Sequence, residues 1–366
     1  SDEARALLGA ALLGETEGAY TRVQRSFART GLAHVLAISG LHLGLLAMFA
    51  LVAARAVVPG RRTEALVVAI AVALYLAIVP ANPPVVRAGI MTLGFLLAEA
   101  LGRRYDPLNV LGWTACAIVA ARPTDLTSVG FQLSFAAVGG LVAFSKPVRD
   151  ALRTLLRVRE VDPDQRTRRQ RVAAWVTAAL GTSIAAWAIT APLVALRVGV
   201  LTPWAAFAAV LVAPAFSGLL GLGYVTMLAG AVSPSLGVLL AQPMGHLAEG
   251  LLWLVRVLER APLGAVNTPP MAWWWCALAT VAVAQILRRG LRARGALLAL
   301  AAVVGVVALQ GGRAGRLEEG AAFRIDTLAV GDGACHLLRS EDDALLWDCG
   351  STWVGIGARD IPDALR

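Results

Sequence analysis

The stretch Gly31–Phe49 reads GLAHVLAISGLHLGLLAMF. Its second half opens an apolar run that continues to Val58. Its first half sets His34, Ser39 and His42 among glycines. A helix needs about 20 predominantly apolar residues to cross a hydrocarbon core. Polar side chains at membrane depth are costly, about 2.5–3.5 kcal/mol for a central charge, and they turn toward a bundle interior or a wet path. The stretch therefore predicts a membrane helix with a polar entrance, and the use of that entrance is the question it poses.

Working outward, about ten segments have the length and composition of spans. They are Leu36–Val58, Ala65–Val79, Val86–Leu101, Leu108–Ala121, Val129–Phe144, Ala173–Leu196, Trp204–Leu228, Leu236–Leu258, Trp273–Leu287 and Ala296–Leu309. The chain is 58% hydrophobic and 16% charged, which excludes an ordinary soluble domain. The fold class is an all-α polytopic membrane protein, with broken or interfacial helices among the segments and a short β-containing region at the end. One helical stretch, Leu247–Glu259, carries Glu249, Arg256 and Glu259 among leucines and is a candidate to lie on the surface.

The net charge of +9 comes from arginine, Lys146 being the lone lysine. Arginines cluster after the first, third, fifth and ninth segments: Arg61–Arg62, Arg103–Arg104, Arg149–Arg171 and Arg288–Arg294. Alternate connections share one face, and the positive-inside rule makes that face cytoplasmic. Both termini are then predicted outside, in the periplasm or extracellular space. Basicity is explained by orientation, without nucleic acid being invoked. Trp175, Trp204 and Trp273–Trp275 suit an interfacial belt.

Four regions follow from the texture of the chain. Residues 1–33 form an amphipathic juxtamembrane segment, without a cleavable signal sequence. Residues 34–310 form the membrane domain. GGRAGRLEEG, residues 311–320, is a linker by its glycines and charges. In 321–366 the runs FRIDTLAV, ACHLL and ALLWDCGS alternate with turn signals and read as strands of a second domain. The sequence is expected to be a piece of a longer chain at both ends. Cys335 and Cys349 flank the SEDD turn, where a disulfide on the outer face can form.

Three polar clusters sit at the starts of odd-numbered segments. Beside His34, Ser39 and His42, the third segment opens as NPPVVRAGIM, with Asn82 placed to cap it and Arg87 one turn inside. The fifth opens as SVGFQLSFAAVGG, with Gln132 and Ser134 beside Phe131 and Phe135. All three lie at one membrane level on the outer side. Gathered in a bundle they would line a cationic vestibule suited to a single-stranded polyanion. Taken singly, GLHLG is a small-residue packing seam and Arg87 snorkels to headgroups.

HVLAISGLHLGLL, PPVVRAGIM, RRYDPLNVLG and RPTDLTSVGFQLSFAAVGGL occur together and in that order. They resemble the competence domain of the ComEC family, with ISGLH and GFQLSF the most specific elements. The resemblance implies an inner-membrane channel that passes transforming DNA as one strand across the bacterial cytoplasmic membrane. It implies that His34, Ser39, Gly40, His42, Arg87, Gln132 and Ser134 line or shape the path, with Arg87 on phosphate. Its implied partners are single-stranded DNA, membrane lipid, a periplasmic DNA receptor and a cytoplasmic DNA translocase. Members often carry an oligonucleotide-binding domain upstream.

LAVGDGACHLLRSEDDALLWDCGS, residues 328–351, resembles the first hairpin of the metallo-β-lactamase-like domain found downstream in that family. Where the family has DVGQGDA this chain has Ala329 to Cys335 with two acids missing; Asp348 matches a later DxG. The HxHxDH motif does not occur before Arg366. No cofactor is expected in this chain, and a divalent metal is expected only in the remainder of that domain. Two other classes compete with the channel. One is a membrane hydrolase with Ser39 as nucleophile and His42 or His34 as base, though no GxSxG elbow is present. The other is a small-solute transporter with helices broken at mid-membrane.

Overall fold

The computed structural model describes residues 1–289 except 16–18, 37–39, 58–59, 80–82, 104–105, 159–166, 262–264 and 269–271. Beyond 289 it describes residues 298, 300, 301, 304, 305, 324–327, 336–339 and 344–347. The chain divides into two units, Ser1–Val304 and Gly305–Arg366.

The first unit is helical. α1 (Asp2–Leu13), α2 (Tyr20–Arg29) and α3 (Ala33–Leu36) precede α4 (Gly40–Val57), α5 (Arg61–Ile78), α6 (Pro83–Ala100) and α7 (Pro107–Ala121). Then follow α8 (Val129–Leu155), α9 (Arg168–Val198), α10 (Ala205–Val232), α11 (Pro234–Glu259) and α12 (Trp273–Arg289). Local chemistry sets several starts. Asp106 accepts from the Leu108 amide with Pro107 at the first helical position, and Ser128 accepts from the Phe131 amide. Thr167 and Gln170 exchange bonds as a capping box ahead of α9.

Segments read as spans coincide with α4 to α12, while Ala296–Leu309 lies largely outside the described residues. Only α4, α8, α9, α10 and α11 are long and apolar enough to cross a membrane by length and composition among the described residues. Of the about ten expected spans, five meet that criterion among the described residues. Two physical features separate the rest. α7 has 15 residues, and such a helix rises about 22 Å against a core of about 30 Å. α5 begins with Arg61, Arg62 and Glu64, and α6 contains Arg87 and Glu99. The protein is an all-α membrane protein over this unit.

Among the described residues four apolar clusters hold the helices, the smallest around Ala282 of α12. The largest joins Leu7, Leu12, Val23, Phe27 and Leu32 to Val212, Phe216, Leu219, Leu251 and Val255, so α1 and α2 pack on α10 and α11. α1 and α2, which fall in the stretch expected as a juxtamembrane segment, thus put their apolar faces into this core, with Phe27 and Leu7 fully buried. Their charges meet those of α11: Arg29 pairs with Glu259 at 2.9 Å, and Glu3 pairs with Arg256. Such exposed pairs contribute about 0–1 kcal/mol each and chiefly fix orientation. Leu247–Glu259 is the continuous end of α11, with Ala248, Leu251, Leu252 and Val255 buried.

The second cluster joins α4, α5 and α6 through Leu43, Val68, Val72, Val85 and Leu96. The third joins α8, α9 and α12 through Phe144, Val148, Ala185 and Ile189 with Val283 and Leu287 beside them. α8 and α9 approach backbone to backbone: a methyl built on Gly181 would lie 2.9 Å from Cα of Arg149. Gly31 has φ +73°, and a methyl there would lie 2.4 Å from Thr202 Oγ1 and from the Ala205 side chain. Only glycine suits that turn ahead of α3. β1 (Val200–Leu201) and β2 (Val266–Asn267) pair antiparallel, tying the α9–α10 and α11–α12 connections.

In the second unit, β3 (Arg324–Thr327), β4 (His336–Arg339) and β5 (Ala344–Trp347) form an antiparallel sheet in chain order. His336 stands opposite Thr327 and Trp347. The strands overlap the runs read as β, with β4 reaching one residue past ACHLL. Cys335, Cys349 and Asp348 lie outside the described residues, so the disulfide does too.

Gly181→Val is expected to wedge the α8–α9 pair apart and lower its stability by about 1–3 kcal/mol. Thermal unfolding of the detergent-purified chain measures this; a melting temperature equal to that of the parent would mean that the helices are not in backbone contact there.

Candidate functional site

α4, α6 and α8 bring their N-terminal ends together. A methyl built on Gly40 would sit 3.8 Å from Cβ of Ala88, linking α4 to α6. Arg87 donates from Nη2 to the Gly130 carbonyl at 2.9 Å, linking α6 to α8. The three polar entrances are therefore neighbours. Side-chain directions divide them.

Residues two apart on a helix point about 200° away from each other. Gly40 faces α6, so His42 turns to the other side. Its ring is fully buried and lies edge to face with Phe216 of α10, centroids 5.7 Å apart. It also hydrogen-bonds the backbone of Ala11 in α1. The Tyr224 hydroxyl donates to the His42 carbonyl at 3.4 Å, and Tyr224 packs at 81° on Phe49. The Tyr224 hydroxyl also interacts with Tyr75 of α5. His42 is thus part of the seam where α1, α4 and α10 meet.

The GLHLG seam expected from spacing is only half present. Nothing lies within 4 Å of a methyl built on Gly44, so Gly40 is the glycine that allows close approach. His34 is exposed, and its Nδ1 lies 3.2 Å from the Gly31 carbonyl, turned back on its own segment. Ser39 lies outside the described residues, as does the proposed Ser39–His42 contact. Asn82 lies outside them as well.

Arg87 is the exceptional group. It is 4% exposed inside a bundle and, among the described residues, has one hydrogen bond, to a neutral carbonyl, and no hydrogen-bond partner at Nε. Asp125, in the 3₁₀ turn Pro123–Thr127 ahead of α8, supplies an opposite charge. Gln132 donates from Nε2 to the Leu126 carbonyl at 3.1 Å, while its buried Oε1 has no partner. Ser134 is half-buried on the same helix. Phe131 and Phe135 stack with centroids 4.3 Å apart beside them. The turn Pro123–Thr127, Arg87 and the first two turns of α8 together make a polar junction containing a guanidinium with unused donors and an amide with an unused acceptor.

Sequence reading missed Phe216, Tyr75 and Tyr224, which complete the His42 seam, and Asp125, which faces Arg87. Tyr224 had a signal: a tyrosine well inside an apolar run, away from the interfacial level where the residue is enriched. Phe216 had none, since an apolar residue in an apolar helix carries no direction. Of the belt residues, Trp175, Trp204, Trp273 and Trp274 are about half exposed or more, as lipid-facing residues are. Among the described residues no three His, Cys, Asp or Glu side chains gather to hold a metal.

A family model described as Competence protein matches residues 11–293, most of the chain. A protein of Aquifex aeolicus (strain VF5), named only as uncharacterized, is 40% identical over 136 residues, which is 37% of this chain and 32% of that protein. The matched part is thus about a third of the relative's length. No solved structure matches.

His42→Ala is expected to destabilise the unit by about 3 kcal/mol through the cavity left at the α4–α10 seam. A double-mutant cycle with Phe216→Ala should show coupling of about 0.5–1.5 kcal/mol. Strictly additive losses in denaturation of the purified chain would place the ring elsewhere.

Proposed function

The chain belongs to the competence protein family, and from that premise we propose that its helical unit conducts single-stranded DNA across the bacterial cytoplasmic membrane. The observation that carries this reading is Arg87. A guanidinium has five N–H donors and stays charged, so burying one with a single carbonyl partner leaves a strong, directed affinity for an anion. Burial of an incompletely paired charge is costly and is kept at functional positions inside membranes. A phosphodiester offers what the Gly130 carbonyl lacks: a negative charge and two oxygens that fit the guanidinium fork.

In this reading Arg87 holds α6 against α8 through Gly130 when no strand is present and exchanges that carbonyl for phosphate as DNA passes. Gln132 is the neutral polar partner on the same junction, and the Phe131–Phe135 pair offers a face on which bases can stack. Gly40 lets α4 approach the junction. His42 shapes the path from behind, by locking α4 to α10 and α1. Ser39, Ser134 and His34 belong to the entrance level. No reaction is required of these residues. A hydrolase would need Ser39 to work with His42 or His34, whereas the His42 ring is engaged by Phe216 and Ala11 and His34 turns its Nδ1 to the Gly31 carbonyl.

With the shorter apolar helices counted as crossings too, the arginines after α4, α6, α8 and α12 fall on one face, which this reading makes cytoplasmic, with both termini on the periplasmic side. α8 has 27 residues and α9 has 31. That exceeds the span of the hydrocarbon core, so their joined ends extend into water on the basic side. A periplasmic DNA receptor and a cytoplasmic translocase would supply and pull the strand.

Arg87→Glu is expected to abolish uptake of labelled single strands at an unchanged amount of membrane-inserted protein. Arg87→Lys should keep the charge but lose the fork, reducing uptake by about tenfold. Uptake at the parental rate in both variants would refute the site. For orientation, single cysteines placed between Arg149 and Arg171 in a cysteine-free background should react with impermeant maleimide only from the cytoplasm. Labelling from the periplasmic side would invert the topology.

A further inference from the structure

The four helices α4 to α7 share a short apolar length that DNA passage does not explain. Arg55 of α4 pairs with Glu64 of α5 at 3.3 Å, and Arg61 of α5 pairs with Glu99 of α6. These pairs set the inner ends of three neighbouring helices at one polar level. From that level to their outer ends the apolar stretches are Gly40–Ala54, Ala65–Ile78 and Pro83–Ala98, with Arg87 the one charge among them. α7 packs on α6, where a methyl built on Gly94 would lie 3.4 Å from Val110 Cγ1. It carries no charge between Asp106 and Arg122. By helical rise each of the four stretches covers about 21–24 Å.

A typical hydrocarbon core is about 30 Å thick, so these stretches fall short by about 6–9 Å, and tilt widens the gap. A short stretch is matched by snorkelling of flanking residues, by association with another chain, or by a thinner bilayer. Snorkelling is restricted on the inner side, because Arg55 and Arg61 are drawn onto carboxylates of adjacent helices. Association in lipid uses small residues that let backbones approach. The outward stripe of α5 is instead made of large ones, Leu66, Ile70, Leu74 and Ile78, all more than half exposed. Trp113 of α7 is 77% exposed. One short helix could be carried by taller neighbours, but here the short helices stand side by side. Lipid against this flank meets a low apolar wall with polar groups above and below.

We propose that the α4–α7 flank selects phospholipids with short acyl chains and thins the bilayer beside it, drawing the hydrocarbon core down to about 22 Å. The inference rests on the crossings counted in the orientation above and not on the DNA path. Its consequence falls next to the Arg87 junction, at the outer end of the same flank. On α6 itself, Arg87 and Glu99 are separated by about 18 Å of helical rise. The apolar distance between the two aqueous phases is therefore shorter there than in the surrounding membrane.

Reconstitution of the full chain in vesicles of equal parts dimyristoleoyl and dioleoyl phosphatidylcholine tests this, with each lipid in turn replaced by its brominated form. Quenching of tryptophan fluorescence then reports which lipid touches the protein, Trp113 being the outward reporter on this flank. The short-chain lipid should quench beyond its share, and Trp113→Phe should lose part of that excess. Arg55→Leu with Glu64→Leu lengthens the apolar runs of α4 and α5 and should shift the preference toward oleoyl chains. Should that variant fail to fold, Arg122→Leu at the exposed end of α7 replaces it. Equal quenching by the two lipids, or an excess for oleoyl chains, overturns the proposal. So does an excess that Trp113→Phe leaves intact, or a preference that the lengthened variant does not shift. The crossing is checked separately. In a cysteine-free background, Arg103→Cys and Thr124→Cys, beyond the two ends of α7, should react with impermeant maleimide from opposite faces. Reaction from one face removes the crossing and the thinning together; opposite faces without a short-chain preference overturn the thinning and leave the orientation standing.

Discussion

A charged guanidinium held in the interior of an apolar bundle is the constraint around which this protein is arranged. Arg87 is almost wholly removed from solvent, and the group it reaches is the Gly130 carbonyl in the first turn of α8. A buried charge with so little compensation is tolerated only if the surrounding helices cannot rearrange to release it. The other contacts supply that restraint. Gly40 brings α4 against α6, Gly89 meets Leu76 of α5, and Asp125 is held beside the guanidinium by the turn ahead of α8. The junction is polar where a lipid-facing bundle has no reason to be.

Around it, the helices are fixed by two different means. On one side α4, α5 and α6 interlock through leucine and valine. On the other, α1 and α2 fill the angle between α10 and α11 with Leu7, Leu12, Val23 and Phe27. His42 belongs to that second side. Its ring, flanked by Phe216 and the Ala11 backbone, ties the N-terminal helices to α4, so that the polar entrance and the amphipathic leader become one packed body. A histidine here acts through packing and one backbone bond, and its neighbour Gly40 acts through the absence of a side chain.

Much of this was legible from residue order. Apolar length marked α4 to α12, while the caps at Asp106, Ser128 and Thr167 were not singled out in the sequence. The three polar entrances, read as sharing a level, begin helices whose N-terminal ends are neighbours, Gly40 by Ala88 and Arg87 by Gly130. The span count was less legible, because an apolar run of 14 or 15 residues and a run with two charges look alike until the helix ends are known. The direction of His42 was illegible: Ser39, Gly40 and His42 are equally near in sequence, and a small change in helix phase decides which of them faces α6.

The sequence by itself determined that this is a helical membrane protein of the competence family and where its apolar helices fall along the chain. Those properties depend on composition and short-range pattern, which need no partner to be read. Tertiary structure alone decided that the leader is core, that His42 is a seam residue, and that Arg87 meets a carbonyl with donors to spare. Those outcomes depend on which helices become neighbours and at what rotation, and both are set by contacts between residues separated by as many as 253 positions, beyond the reach of any local pattern.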